Sequence, residues 1–110
     1  MKVNLQNRKI MNTKLEEIDG KYVATLEGEM DTMAATEAEE VLKPLYHSDG
    51  KDVIIDCTDL EYIASSGLRI LLVILKGAKA TGSKVIMHGV NDDIKNVFKL
   101  TGFITLFEFD

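Results

Sequence analysis

Ser65-Ser66-Gly67 is the one place in the chain where small hydroxyl residues meet the start of a long apolar segment. The first turn of a helix leaves backbone N–H groups unpaired and carries partial positive charge. A serine at that point therefore has two uses. It caps the helix, with Gly67 allowing close packing, or it carries a phosphate that those donors accommodate. For an SSG tripeptide taken alone, capping is the commoner role. Use of either serine as a nucleophile lacks support, because Ala64-Ser65-Ser66-Gly67 has no leading Gly for a nucleophile elbow and no His stands ready to complete a triad. Walker and Rossmann glycine patterns are absent too. His47, in Tyr46-His47-Ser48-Asp49-Gly50, and His88, beside Gly89, have no carboxylate or thiol at metal-ligand spacing and read as solvated loop residues. The lone Cys57 excludes an internal disulfide and a multi-cysteine metal site. It follows Val53-Ile54-Ile55 and reads as an inert core thiol. No catalytic residue, metal or cofactor is expected from these patterns.

The elements that must position Ser65 follow from periodicity and turn chemistry. Residues 13–18 and 22–27 read as two strands joined by Asp19-Gly20, a strong hairpin signal. Gly28-Glu29-Met30-Asp31 is expected to end the second strand. A helix follows, with Ala34, Ala38, Val41, Leu42 and Leu45 on one apolar stripe, Asp31 or Thr32 as its cap, and an early or kinked end at Pro44. Glu37, Glu39 and Glu40 fall on its outer face, while Met30 and Met33 offer either an adaptable contact patch or core packing. Val53-Ile54-Ile55-Asp56-Cys57 has the continuous apolar, β-branched character of a strand buried on both faces of a parallel sheet. Residues 65–80 read as a helix on length, with a Ser cap in front, Lys76 and Lys79 in the last turns and Gly82 behind. A strand over 84–87, a helix capped within Asn91-Asp92-Asp93 with Ile94, Val97 and Phe98 inward, and a strand or extended edge over 104–109 complete the chain. Strands alternating with helices imply a single α/β domain, a mostly parallel or mixed four- to five-stranded sheet with helices packed against it.

The 110 residues suit one domain, and 45% hydrophobic with 28% charged residues is ordinary globular composition. A net charge of −5 argues against direct nucleic-acid binding, which calls for a basic stripe. The N-terminus lacks an apolar core of signal-peptide length, and the longest apolar run, residues 70–75, is too short to cross a bilayer. A cytoplasmic location is the resulting expectation.

The stretch Asp56-Cys57-Thr58-Asp59-Leu60-Glu61-Tyr62-Ile63-Ala64-Ser65-Ser66-Gly67-Leu68 resembles the signature of STAS domains of the anti-sigma-factor antagonist family, in which D-S-S-G-L or S-S-A-G-L opens a helix. Leu26-Glu27-Gly28-Glu29-Met30-Asp31 is similar to that family's L-x-G-E-[LI]-D, and Val97-Phe98-Lys99-Leu100-Thr101-Gly102-Phe103 to its late [LV]-F-x-x-[ST]-G-[LF]. The resemblance implies a STAS domain over residues 12–110 preceded by an extension, residues 1–11, in which Met11 is an alternative start.

What the resemblance implies about function is a partner switch. The unphosphorylated domain docks on an ATP-binding anti-sigma factor that is also a serine kinase. Phosphorylation ends the docking, and a cognate metal-dependent serine phosphatase restores it. The phosphorylated residue falls on Ser65, with Ser66 second. The implied partner-facing set is Asp31, Met30, Met33, Ala64, Ser66, Gly67 and Arg69. Ala64 stands where the commonest motif has Asp, which keeps alive a second reading, a non-phosphorylated STAS binding subunit of a transporter or other complex. A serine hydrolase is the remote third. Many members carry a further helix after the final strand, so ending at Asp110 favours weak homodimerisation.

Overall fold

A computed structural model describes residues 11–110. Its elements are β1 (Asn12–Ile18), β2 (Lys21–Met30), α1 (Thr32–Leu42), β3 (Val53–Asp56), β4 (Leu60–Ile63), α2 (Ser65–Ala80), β5 (Val85–His88), α3 (Asp92–Leu100) and β6 (Glu108–Phe109). Short 3₁₀ turns lie at Lys43–His47 and Phe103–Thr105. β1 and β2 form the expected hairpin, antiparallel from Asn12↔Glu27 to Ile18↔Lys21. The other pairings are parallel, giving the order β1-β2-β3-β5-β6 with β4 joined to the far end of β2. The expected α/β sheet is present, with six strands when the two-residue β6 is counted.

Alternation along the strands sends Ala24, Leu26, Val53, Ile55, Val85 and Met87 into a single hydrophobic cluster. α2 contributes Leu68, Leu71, Ile74, Leu75 and Ala78 to it, and α1 contributes Ala35, Ala38 and Leu42. Ile54 and Ile86, on the other side of the pleat, are half-buried. The expectation of a strand buried equally on both faces is therefore corrected: β3 buries Val53 and Ile55 fully and Ile54 only in part. At the other margin of the sheet, Phe98 of α3 meets Phe107 and Phe109 edge to face at 5.5 and 5.3 Å. These contacts hold the C-terminal segment beside β5.

The structure departs from the sequence expectations at several points. β2 does not end at Gly28 but continues to Met30. The segment between Asp56 and the serines holds the short strand β4, which too few residues of one period reveal. Residues 103–109 form a 3₁₀ turn and then only two residues of strand. Val41 faces solvent at 38% exposure, and Ala35 takes its place inside, because α1 ends at Leu42 and the chain tightens into the 3₁₀ turn begun by Lys43-Pro44. His88 is the last residue of β5 and not a loop residue, with Nδ1 3.5 Å from Asp110 Oδ2. The 1–11 extension lies outside the described residues except for Met11, which packs against the core.

Candidate functional site

The site begins with a strand that changes partner. Tyr22 to Thr25 of β2 pair with β3, and Gly28 to Met30 pair with β4, with a register shift between Gly28 and Glu29. A bulge there requires a residue tolerant of positive φ, and Gly28 takes φ 98° while its N–H donates to Asp59 O at 2.9 Å. The Glu27-Gly28-Glu29 segment thus carries β2 across from one neighbour to the next. Beyond the bulge, Met30 lies opposite Ile63, and Ala64 N–H donates to Met30 O at 2.8 Å. Two parallel strands therefore end in register, about 4.8 Å apart. Asp31 opens α1 from one, and Ala64 with Ser65 opens α2 from the other.

The two helix starts are finished differently. Asp31 is the N-cap of α1, its Oδ1 accepting the Ala34 N–H at 2.8 Å. Asn91 does the same for α3, accepting from Ile94 N–H at 2.8 Å while its Nδ2 donates to Leu60 O at 3.1 Å. α2 has Ala64 in the cap position, in extended conformation, and no side chain caps it. The expected Ser cap is corrected: Ser65 and Ser66 are already helical and stand one residue too late to cap. Ser65 is exposed, whereas Ser66 Oγ is buried without a hydrogen-bond partner among the described residues.

Gly67 and Met30 set the height of this helix end. A Cβ on Gly67 would come within 2.8 Å of Ile63 Cγ1 and 2.9 Å of Met30 Sδ. Met30 is fully buried, so its side chain belongs to the support beneath the serines and not to an outward contact patch. Gly67 is likewise buried. Of the other residues in the partner-facing set, Met33 is 62% exposed and Arg69 is exposed one turn after Ser65. Asp31 and Ala64 are half-buried at the junction. Tyr62, on the strand leading to the serines, is 51% exposed and was not singled out from sequence. An aromatic one residue before the end of a short strand was the available signal.

Two neighbours complete the electrostatics. Tyr46 donates its hydroxyl to Glu39 Oε2 at 2.7 Å, and burial, then that hydrogen bond, pushes the phenol well above its usual range, while Arg69 pulls weakly the other way. Glu39 is thus anchored and is not simply one of the solvated glutamates of the outer face. At the C-terminal end of β3, Asp56 Oδ1 accepts from the Thr58 hydroxyl at 2.6 Å and the Thr58 N–H at 3.1 Å, and the hydroxyl bond chiefly lowers its pKa. Cys57 is fully buried and its thiol is pushed up to about 12, first by burial and then by Asp56. A thiol so rarely ionised has no nucleophilic use. Among the described residues no cluster of His, Cys, Asp or Glu could hold a metal ion, and no helix is long and apolar enough to cross a membrane.

Comparison with known proteins bears on the family and the fold. The STAS domain family model matches residues 12–110. An anti-sigma-B factor antagonist of Staphylococcus aureus is 30% identical over 94 residues, covering 84% of this chain and 87% of the relative. The anti-sigma factor antagonist SpoIIAA in its unphosphorylated form superposes with a TM-score of 0.74 at 19% identity, over 90% of this chain and 88% of that one. The phosphorylated form of Bacillus SpoIIAA gives 0.70 at 19% identity, over 90% and 91%.

Proposed function

Since the chain belongs to the STAS domain family, we propose that it is an anti-sigma factor antagonist whose docking on an anti-sigma factor is ended by phosphorylation of Ser65. The observation that carries this reading is the junction of an exposed serine on an uncapped helix start with Asp31 on the neighbouring strand end. The partner is an anti-sigma factor with an ATP-binding serine kinase domain, and a serine phosphatase resets the switch in the cytoplasm. Ser65 is favoured over Ser66 because a kinase must reach the hydroxyl, and Ser66 Oγ is buried. The contact surface follows from exposure: Met33, Tyr62 and Arg69 are exposed on the elements that carry or lead into Asp31 and Ser65, while Met30 and Gly67 are buried.

The physical basis of the switch is charge placed in a closed contact. A phosphoserine adds about −1.5 to −2 charges at neutral pH. Free N–H groups at the start of α2 accommodate it within the folded domain. A partner seated against Asp31 meets a local charge of about −3 in place of −1. Each ~1.4 kcal/mol of repulsion weakens the complex tenfold, so docking is lost without unfolding.

The test is incubation of the full chain with ATP and the candidate kinase, with phosphate mapped by mass spectrometry in the parent, Ser65→Ala and Ser66→Ala chains. Phosphate on Ser65, absent from Ser65→Ala and accompanied by at least tenfold weaker kinase binding, is the expected result. A stable complex that never acquires phosphate overturns the switch. Ala64, in place of the commonest acidic residue, would then mark a constitutive binding subunit.

A further inference from the structure

The opposite end of α2 carries a cleft that the serine site does not use. It has a volume of about 210 Å³ and is lined by Leu75 and Lys79 of α2, Ser83 and Lys84 of the following turn, Val85 of β5, and Leu106 and Glu108 of the C-terminal segment. From Ser65 to Lys79 the helix rises about 21 Å, so the two sites are separate. Leu75 and Val85 form a buried apolar floor, and Leu106 is 41% exposed at its edge. Neither Lys79 nor Lys84 has an ion-pair partner among the described residues, although acidic residues outnumber basic ones, 18 to 13, in the whole chain. The two lysines against one glutamate leave the lining with an excess positive charge.

The end of α2 does not cancel that charge. Helix C-termini present unpaired carbonyls with partial negative charge, but those of Ala78 and Lys79 are occupied. Ser83 N–H donates to Ala78 O at 2.8 Å, Gly82 N–H to Lys79 O at 3.2 Å, and Thr81 Oγ to Ala78 O at 3.2 Å. Lys84 is itself held, its N–H donating to Asp52 Oδ1 at 2.9 Å and its carbonyl accepting from Val53 N–H at 2.9 Å. Two ammonium groups thus stand on fixed backbone beside an apolar floor.

We propose that this cleft binds a small monocarboxylate with an apolar tail, the carboxylate between Lys79 and Lys84 and the tail over Leu75, Val85 and Leu106. The size supports a compact ligand: about 210 Å³ falls below the roughly 300–1,000 Å³ of sites for drug-sized ligands. That matches hexanoate better than a nucleotide or a long acyl chain. Apolar burial provides the attraction, and the lysines select the charge.

Titration of the full ¹⁵N-labelled chain with hexanoate, followed by amide chemical shifts, tests this without any partner protein. Saturable shifts confined to Leu75, Lys79, Ser83 to Val85 and residues 106–108 are expected in the low millimolar range. Hexanol should bind at least tenfold more weakly, as should hexanoate to the Lys79→Gln/Lys84→Gln chain, whose spectrum also reports that it is folded. Glu108→Gln should tighten hexanoate two- to threefold. Absence of saturable shifts, equal binding of hexanol and hexanoate, or an unaffected double variant overturns the proposal, and a groove for an acidic partner segment would replace it if only peptides bound.

Discussion

α1 and α2 start side by side from strands that end in register, yet one start is closed and the other open. Asp31 returns its carboxylate to the Ala34 N–H, completing α1 and placing a fixed negative charge at the junction. Ala64 gives α2 no side-chain cap, and only its carbonyl takes part, accepting from Gly67 N–H at 2.9 Å and Leu68 N–H at 3.1 Å. The Ser65 and Ser66 N–H groups are left without a partner among the described residues, while the helix is held by packing, through Gly67 seated on Met30 and Ile63. The lesson is a division of labour. A helix anchored by burial can forgo its cap, and the uncapped end is then free to accept charge. A short helix such as α1, 11 residues with four of them buried, leans more on its cap.

The largest way to break that contrast is to deny α2 its seat. Gly67→Val should cost about 2–3 kcal/mol in urea unfolding, because Ile63 and Met30 must both give way. A change within 0.5 kcal/mol would mean that α2 is not held where its packing implies. Next comes the closed end. Asp31→Ala should cost about 1 kcal/mol through the lost cap, whereas Asp31→Asn, which retains the acceptor, should stay within about 0.5 kcal/mol. Equal losses in the two variants would assign the effect to charge. Closing the open end reverses the sign: Ala64→Ser, at an extended backbone already suited to a cap, should stabilise by about 0.5–1 kcal/mol. Under the proposed switch it should also slow phosphorylation of Ser65, since donors that would receive the phosphate become engaged. An unchanged rate would detach the open cap from the switch.

The smallest effect is pH-dependent and sharpens the comparison from outside the junction. The Thr58 hydroxyl, above all, lowers the Asp56 pKa below 3.8. A carboxylate with a depressed folded-state pKa stabilises the fold above its unfolded value and loses that contribution as pH falls through the folded value. Thr58→Ala should therefore lower the urea midpoint at neutral pH by a small amount and leave it unchanged once the pH has fallen through the folded-state pKa of Asp56. Identical losses at the two pH values would mean that Thr58 acts through packing and not through Asp56.

Much of the site was legible before any coordinates. The Asp19-Gly20 hairpin, the Asp31 cap, the early end at Pro44 and the long helix over 65–80 each rest on local chemistry, in turn geometry, orphan N–H groups or a missing proline donor, and each is present. Motif resemblance gave the family, and the family model agrees. What local pattern missed was β4. Leu60-Glu61-Tyr62-Ile63 is too short to show a period, and it is a strand because the bulged end of β2 offers it a partner. Met30 was equally illegible. A methionine beside a helix start serves surface or core, and only the arrival of Gly67 above it, 37 residues later in sequence, makes it core.

The sequence by itself thus determined the β1–β2 hairpin, the three helices and strands β3 and β5, and narrowed the α1 cap to Asp31 or Thr32, since those follow from interactions within a few residues. Only the tertiary structure decided that the strand ends leading to Asp31 and Ser65 lie side by side, that Ser65 is exposed while Ser66 Oγ is buried, and that Lys79 and Lys84 share a cleft with Leu106. Those facts depend on which strand end lies beside which, and strand pairing is set by contacts between residues far apart in the chain.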